Sequence, residues 1–199
     1  MTQYACIVAD PPWHTTAGRE IGEYVRAADG SQPFGVRSQK ARPLPYKSMT
    51  IVEIAACNPR AADGAHLYLW TINRWLREAF DVIDAWGFKY STTLVWAKKP
   101  MGGGLGGSYG LATEYCLFAR RGALKATQRV GRNWFDWKRP YKDGYPNHSA
   151  KPPEFFHMVE AVSPGPRLEM FARAQRSGWD VWGDEVESSE STVGANDGD

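Results

Sequence analysis

The apolar residues of this 199-residue chain gather into short runs, and the spacing inside each run indicates the element it builds. YACIVA at 4–9 is unbroken and stops at Asp10-Pro11-Pro12. Proline cannot continue a ladder, so a buried strand closed by a rigid turn is expected there. Polar and basic sequence with four glycines and three prolines fills 14–47, a length that in a compact domain marks a lid or binding loop. A helix is expected over 50–62, with Thr50 as N-cap and Glu53 three residues on. HLYLWT (66–71) reads as a strand, and 73–86 as a helix with Leu76, Phe80, Ile83 and Trp86 on one face.

STTLVWA (91–97) is a third strand, followed by the glycine-rich loop MGGGLGGSYG and a fourth strand over 114–119. Residues 120–145 read as irregular, basic and aromatic. A helix over 152–162 opens on prolines, harmless in a first turn, and stops at Ser163-Pro164-Gly165. Strands RLEMFA (167–172) and WDVWG (179–183) close the pattern. Strands alternating with helices predict an α/β fold, a mostly parallel sheet with helices on both faces. We see no internal repeat, and expect one domain over 1–185 and a disordered tail over 186–199.

Charge adds an asymmetry that the formal +2 conceals. Six acidic and no basic residues lie in 184–199, which leaves 24 basic against 16 acidic residues in the rest. A basic body suits a polyanionic partner. No run of about 18 apolar residues exists to span a membrane, and the N-terminal sequence lacks the texture of a signal peptide. Cys6, Cys57 and Cys116 show no CxxC spacing, so buried thiols and a cytoplasmic location are expected. The histidines at 14, 66, 148 and 157 have no ligand-like spacing, and no metal site is expected. Glycines 102, 104 and 107 spell G-x-G-x-x-G, but a strand rather than a helix follows, so a dinucleotide loop is rejected.

The strongest chemical feature is Asp10-Pro11-Pro12-Trp13 at the carboxyl end of the first strand, the edge where α/β sheets bind ligands. An adenine amine is a poor nucleophile because its lone pair is delocalised into the ring. A carboxylate accepting one N–H and a backbone carbonyl accepting the other expose that lone pair. Prolines hold the carbonyl in a fixed direction, and an aromatic neighbour can stack on the base. Methyl transfer is then a task of alignment and electrostatics. On four residues alone the motif reads equally as a strand-ending turn with a capping Asp.

The order of motifs resembles the MT-A70 family, named for a subunit of the mRNA adenine methyltransferase and including bacterial and phage members that act on DNA. VADPPW resembles its catalytic signature and LPYKSM (44–49) its substrate loop. DGAHLYLW, WGF (86–88), EYCLFARRG (114–122) and HSAKPPEFFHMVEAVSPGPRLEMFAR (148–173) follow in its order. The resemblance implies a Rossmann-like class I methyltransferase fold with permuted motif order, catalytic strand first and cofactor strand last. It implies S-adenosylmethionine as cofactor, with Asp10, Pro11, Pro12 and Trp13 catalytic. Lys151, with His148 beside it, would meet the cofactor's methionine carboxylate, and Glu169 its ribose. Phe171, Arg173, Gln175 and Arg176 would line it, and Gly183, Asp184 and Glu185 close over its adenosine end. Tyr46, Trp13 and Glu114 would face the target base. The sequence departs from the family where Gly183-Asp184-Glu185 stands in place of Gly-Asn-Gln, and in the short lead before Asp10.

Residues 120–142 hold eight basic side chains and one acid, interleaved with Trp134, Phe135, Trp137 and Tyr141. That texture fits a nucleic-acid groove, with Arg132, Lys138, Arg139 and, from the first loop, Lys47 on phosphates. It fits a solvated connection with aromatics tucked onto the core equally well. Trp70 and Trp96 read as core. The expectation is N6-adenine methylation of nucleic acid, DNA more than RNA, by a monomer or homodimer with room for a partner subunit. An inactive nucleic-acid-binding scaffold and an N4-cytosine DNA methyltransferase are the alternatives.

Overall fold

The computed structural model describes residues 2–14, 47–98, 109–142, 145–147, 150–183 and 186. The 14–47 loop beyond His14 and before Lys47, most of the glycine-rich loop and the acidic tail beyond Val186 lie outside them, as do Tyr46, His148, Asp184 and Glu185. A seven-stranded sheet runs β5 (Trp134–Phe135), β3 (Lys89–Ala97), β4 (Thr113–Arg121), β2 (Ala61–Thr71), β1 (Tyr4–Ala9), β8 (Arg167–Met170), β9 (Asp180–Trp182). After β5 in the chain comes a separate two-stranded pair, β6 (Tyr141–Lys142) with β7 (Tyr145–Pro146). Every strand of the large sheet points one way except β4, which is antiparallel to both β2 and β3. The sheet is mostly parallel, as expected, and the one reversed strand makes it mixed. β3 and β4 are consecutive strands that pair directly with each other, and antiparallel pairing is the one that needs no crossover connection.

The helices cover both faces, as the alternation along the strands requires. Ile7, Ala9, Leu67, Leu69, Leu117 and Ala119 pack with Ile54 of α1 (Ile51–Ala56) and Ala79, Val82 and Ile83 of α2 (Glu78–Ala85). Their sequence neighbours Cys6, Val8, Tyr68, Trp70 and Cys116 face the other way, against Phe155, Phe156 and Val159 of α3 (Pro153–Val162). A side-chain period of two thus sorts one sheet into two cores.

Local chemistry accounts for where the helices depart from expectation. Thr50 and Glu53 close the expected capping box: Thr50 Oγ1 accepts from the Glu53 amide and Glu53 Oε2 from the Thr50 amide at 2.7 Å. Yet α1 ends at Ala56 rather than 62. Pro59 disfavours helix before it, and Ala61 is already paired with Tyr4 of β1. The helix expected over 73–86 is a 3₁₀ turn (Asn73–Trp75) followed by α2, which Gly87 terminates in the left-handed conformation at φ 72°.

The core also holds a directed polar chain. Tyr68 donates to Ser163 Oγ at 2.9 Å, Ser163 to His66 Nδ1 at 2.8 Å, and His66 Nε2–H to the Leu124 carbonyl at 3.2 Å. His66 and Ser163 are fully buried, and burial holds the His66 imidazole below its ordinary pKa. The chain ties β2 to the end of α3 with every donor placed.

Candidate active site

One edge of the sheet gathers the chemistry, and register decides which residues reach it. Ala9 pairs with Leu69 and Met170, so β1 and β8 end level with one another and β2 runs two residues further, to Thr71. Because β4 is reversed, its first residues arrive at that same edge, with Glu114 opposite Trp96 of β3. Two residues beyond Val8 stands Asp10; two before Cys116, Glu114; two beyond Trp96, Lys98. Val8, Cys116 and Trp96 all face α3, so period two puts all three charged groups on that face. Lys151 enters from the segment just before α3.

These four form a ladder of alternating charge. Lys151 Nζ lies 2.6 Å from Asp10 Oδ2 and 3.4 Å from Glu114 Oε2, and Glu114 Oε1 is ion-paired with Lys98. The Lys151 side chain is 8% exposed, so this ammonium is nearly dry. Aromatic faces floor the ladder: Lys151 Nζ sits 5.1 Å from the Trp70 ring centroid and Lys98 Nζ 4.8 Å from that of Trp96. Both tryptophans are core residues, as expected, and each carries a cation on its open face.

Burial works on each titration and charge opposes it. Burial pushes the Asp10 carboxyl above its usual range, with Lys151 pulling back and Glu114 adding to the rise. For Lys151, burial would lower the ammonium, but Asp10 and Glu114 together outweigh it and hold it up. Glu114 is the converse case: burial would raise it, and Lys151 and Lys98 hold it low. Lys98 itself is lowered by burial against the pull of Glu114.

Beside Asp10 lies a cavity of about 250 Å³ on the α3 side of β1 and β8. Asp10, Lys151, Glu169, Phe171, Arg173, Gln175 and Arg176 line it with Val8, Asn147, Ala150, Phe156 and Ala174. Seven residues picked from the sequence are thereby brought to one hollow. Glu169 Oε2 accepts from Arg176 Nε at 2.8 Å, and burial holds its carboxyl above the ordinary range against that arginine. Arg176 also stacks over Phe156, 3.4 Å from its ring centroid. Phe171 adopts φ 59°, a left-handed backbone that side chains rarely take, and so turns the chain over the cavity. The expected strand therefore ends at Met170.

Several expected roles change. Trp13 is 6% exposed and donates its indole N–H to the Trp70 carbonyl at 2.9 Å, so it anchors the turn in the core instead of offering a stacking face. Pro11 already accepts the Trp13 amide and Pro12 the Met49 amide, each at 2.8 Å. A carbonyl has two lone pairs, so each retains capacity for a ligand donor. Glu114 is committed to two ammonium groups. Gly183 is absent from the cavity wall. It is a close-approach glycine, since a Cβ there would lie 2.3 Å from the Ala172 carbonyl oxygen.

The basic segment splits. Phe135 and Trp137 stack at 4.1 Å and pack toward Phe155, whereas Trp134 and Tyr141 are exposed. Arg132 lines a separate groove of about 440 Å³ with Leu94, Phe118 and Met158, away from Asp10. Lys138 and Lys47 are exposed, and Arg139 is half-buried. Lys98, Asn147 and Phe156 escaped the sequence reading. Only strand register shows that Lys98, one of two adjacent lysines after β3, reaches Glu114. No three His, Cys, Asp or Glu side chains cluster as metal ligands among the described residues. Nor is any described helix long and apolar enough to cross a membrane.

Comparison with known proteins follows the same residues. The family model described as MT-A70 matches residues 4–185. The type II methyltransferase M.MunI of Mycoplasma sp is 27% identical over 192 residues, spanning 92% of this chain and 78% of that protein. A putative N(6)-adenosine-methyltransferase MT-A70-like protein of Medicago truncatula is 26% identical over 153 residues. The human N(6)-adenosine-methyltransferase catalytic subunit METTL3 is 24% identical over 179 residues. The chain spans only about a quarter of these last two, 24% and 26% of their lengths.

Proposed function

Because this chain belongs to the MT-A70 family, we propose that it transfers a methyl group from S-adenosylmethionine to N6 of adenine in a nucleic acid, DNA before RNA. The observation that carries the reading is the Asp10–Lys151 pair in the wall of a cavity that Glu169 also lines. The preference for DNA rests on the bacterial type II methyltransferase, whose length the chain largely spans. We read 4–185 as one methyltransferase unit with the family's permuted order, β1 catalytic and β8 for the cofactor.

The residues of the cavity suit this cofactor. A carboxylate at the end of a strand, Glu169, is placed to accept from ribose hydroxyls, as acidic residues do in nucleotide-binding α/β folds. Lys151 offers the cation for a carboxylate, and Phe171 and Phe156 supply apolar walls. S-adenosylmethionine supplies an electrophilic methyl group on a positively charged sulfur.

Asp10 accepts one N–H of the adenine amine while a proline carbonyl of the turn accepts the other. The lone pair so exposed is aimed by groups that the strand end and two prolines hold still. Lys151 holds Oδ2 at 2.6 Å, which keeps the carboxylate oriented and ionised. The alkylated nitrogen sheds one proton, and Asp10, held above the usual carboxylate range by burial, is the nearby base. The adenine leaves any duplex stack to reach this edge.

Methyl transfer to single- and double-stranded DNA and to RNA, with products resolved as nucleosides, tests the proposal. N6-methyladenine from the wild type is expected, with Asp10→Asn slower by about 10²-fold or more, the scale of losing an oriented electrostatic partner. Product on N4 of cytosine, or no binding of S-adenosylmethionine, would overturn it.

A further inference from the structure

Lys98 touches neither Asp10 nor the cavity, yet it is the outer rung of the charge ladder. Glu114 divides its two oxygens between Lys98 and Lys151, and Lys151 divides itself between Glu114 and Asp10. The Glu114 side chain is 14% exposed and that of Lys98 20%, so water screens neither well. We propose that Lys98 is a positioning residue: by neutralising Glu114 it leaves Lys151 seated on Asp10 and keeps that carboxylate ionised for the substrate amine.

The argument is one of charge balance in a poorly hydrated cluster. Two carboxylates and two ammonium groups sum to zero. Remove the Lys98 charge and Glu114 has Lys151 as its remaining cation in the ladder. Lys151 is already within reach of Glu114 at 3.4 Å, so it shifts its allegiance from Asp10. Asp10 then loses its counter-ion while an uncompensated carboxylate stands behind it. Both changes favour its protonated, useless form. The other charged groups facing Asp10 are Arg173, after β8, and Glu169, on β8. Both line the cavity, and one further cation, Arg139 after β5, faces Lys98 at the outer rung. Trp96 supports the arrangement by giving the Lys98 ammonium an aromatic face. Lys98 follows β3 directly, so its place depends on pairing with the reversed strand β4.

Two readouts test this, one of them independent of the proposed reaction. The Asp10 carboxyl is titrated by ¹³C NMR in the wild type, Lys98→Met, Lys98→Arg, Glu114→Gln and the Lys98→Met/Glu114→Gln double variant. The pH profile of kcat/KM is measured on the same proteins. In Lys98→Met the Asp10 midpoint and the acid limb are expected to rise by about one pH unit, the scale of a neighbouring charge. That is about a tenfold loss of kcat/KM below the limb, with KM for nucleic acid within about twofold of wild type. Lys98→Arg restores both. On the Glu114→Gln background, Lys98→Met leaves the Asp10 midpoint unmoved, a comparison that survives even if the single variant fails to fold.

An unmoved midpoint in folded Lys98→Met, accompanied by a raised and salt-dependent KM, makes Lys98 a phosphate contact and overturns the proposal. So does a midpoint that moves equally with and without Glu114. The kinetic arm rests on the proposed methyl transfer. If the wild type transfers no methyl group, that reading falls and the titration alone decides the role of Lys98.

Discussion

Replacing Gly183 with alanine adds one methyl group where the chain has no room for it. An ideal Cβ at 183 would lie 2.3 Å from the Ala172 carbonyl oxygen, 2.7 Å from its amide nitrogen and 2.9 Å from the Phe171 carbonyl carbon. All three are backbone atoms, so no side chain can swing aside. The strand end of β9 must back away, and the bond from the Ala172 amide to the Trp182 carbonyl, 2.9 Å, stretches or breaks. Overpacking of this kind costs about 1–3 kcal/mol and a lost backbone hydrogen bond about 1 kcal/mol more. A loss near 3 kcal/mol corresponds to a thermal midpoint lower by roughly 6–12 °C in a chain of this size.

The displaced backbone includes Phe171, which lines the cavity, so on the proposed function affinity for S-adenosylmethionine is expected to fall with stability. Thermal unfolding followed by circular dichroism and titration calorimetry with the cofactor measure both effects. Gly131→Ala is the control. Nothing lies within 4 Å of a Cβ there, and its expected change is within about 0.5 kcal/mol. A Gly183→Ala midpoint matching that of the control would refute the reasoning and return Gly183 to the role of a cofactor contact.

Trp13→Phe removes an indole donor from the Trp70 carbonyl and part of a buried ring, and is expected to cost about 1–3 kcal/mol in urea unfolding. A Trp13 that served as a stacking platform would instead leave stability intact and raise KM for nucleic acid. His66 is neutral in the folded chain and its pKa is depressed there, so the unfolded chain binds the extra proton. Its contribution is full above about pH 6.5, the unfolded value, and is lost as pH falls from there toward the folded value. Urea midpoints of wild type and His66→Gln should therefore draw together as pH falls from 7 to 5. A constant gap between them would refute the role.

The sequence by itself determined a great deal. Unbroken apolar runs and two well-marked helix starts give most elements, because burial and capping are local consequences of residue type. The ordered motifs placed Asp10, Lys151, Glu169, Phe171 and Arg173 on one site, and all five line one cavity. Tertiary structure decided what local signals cannot carry. A glycine-rich loop without helical spacing before β4 hints at its reversal, but the register that delivers Glu114 to the edge where β1 ends is invisible along the chain. Pairing with β1 overrode helical spacing after Ala56, since a ladder partner at Ala61 outweighs the propensity of one more turn. Trp13 had the residue type of a stacking platform, but burial under the turn, with its N–H on Trp70, made it an anchor. Lys98 shows the same division most sharply. Its charge is written in the sequence, while its distance from Glu114 exists only once two strands have found their register.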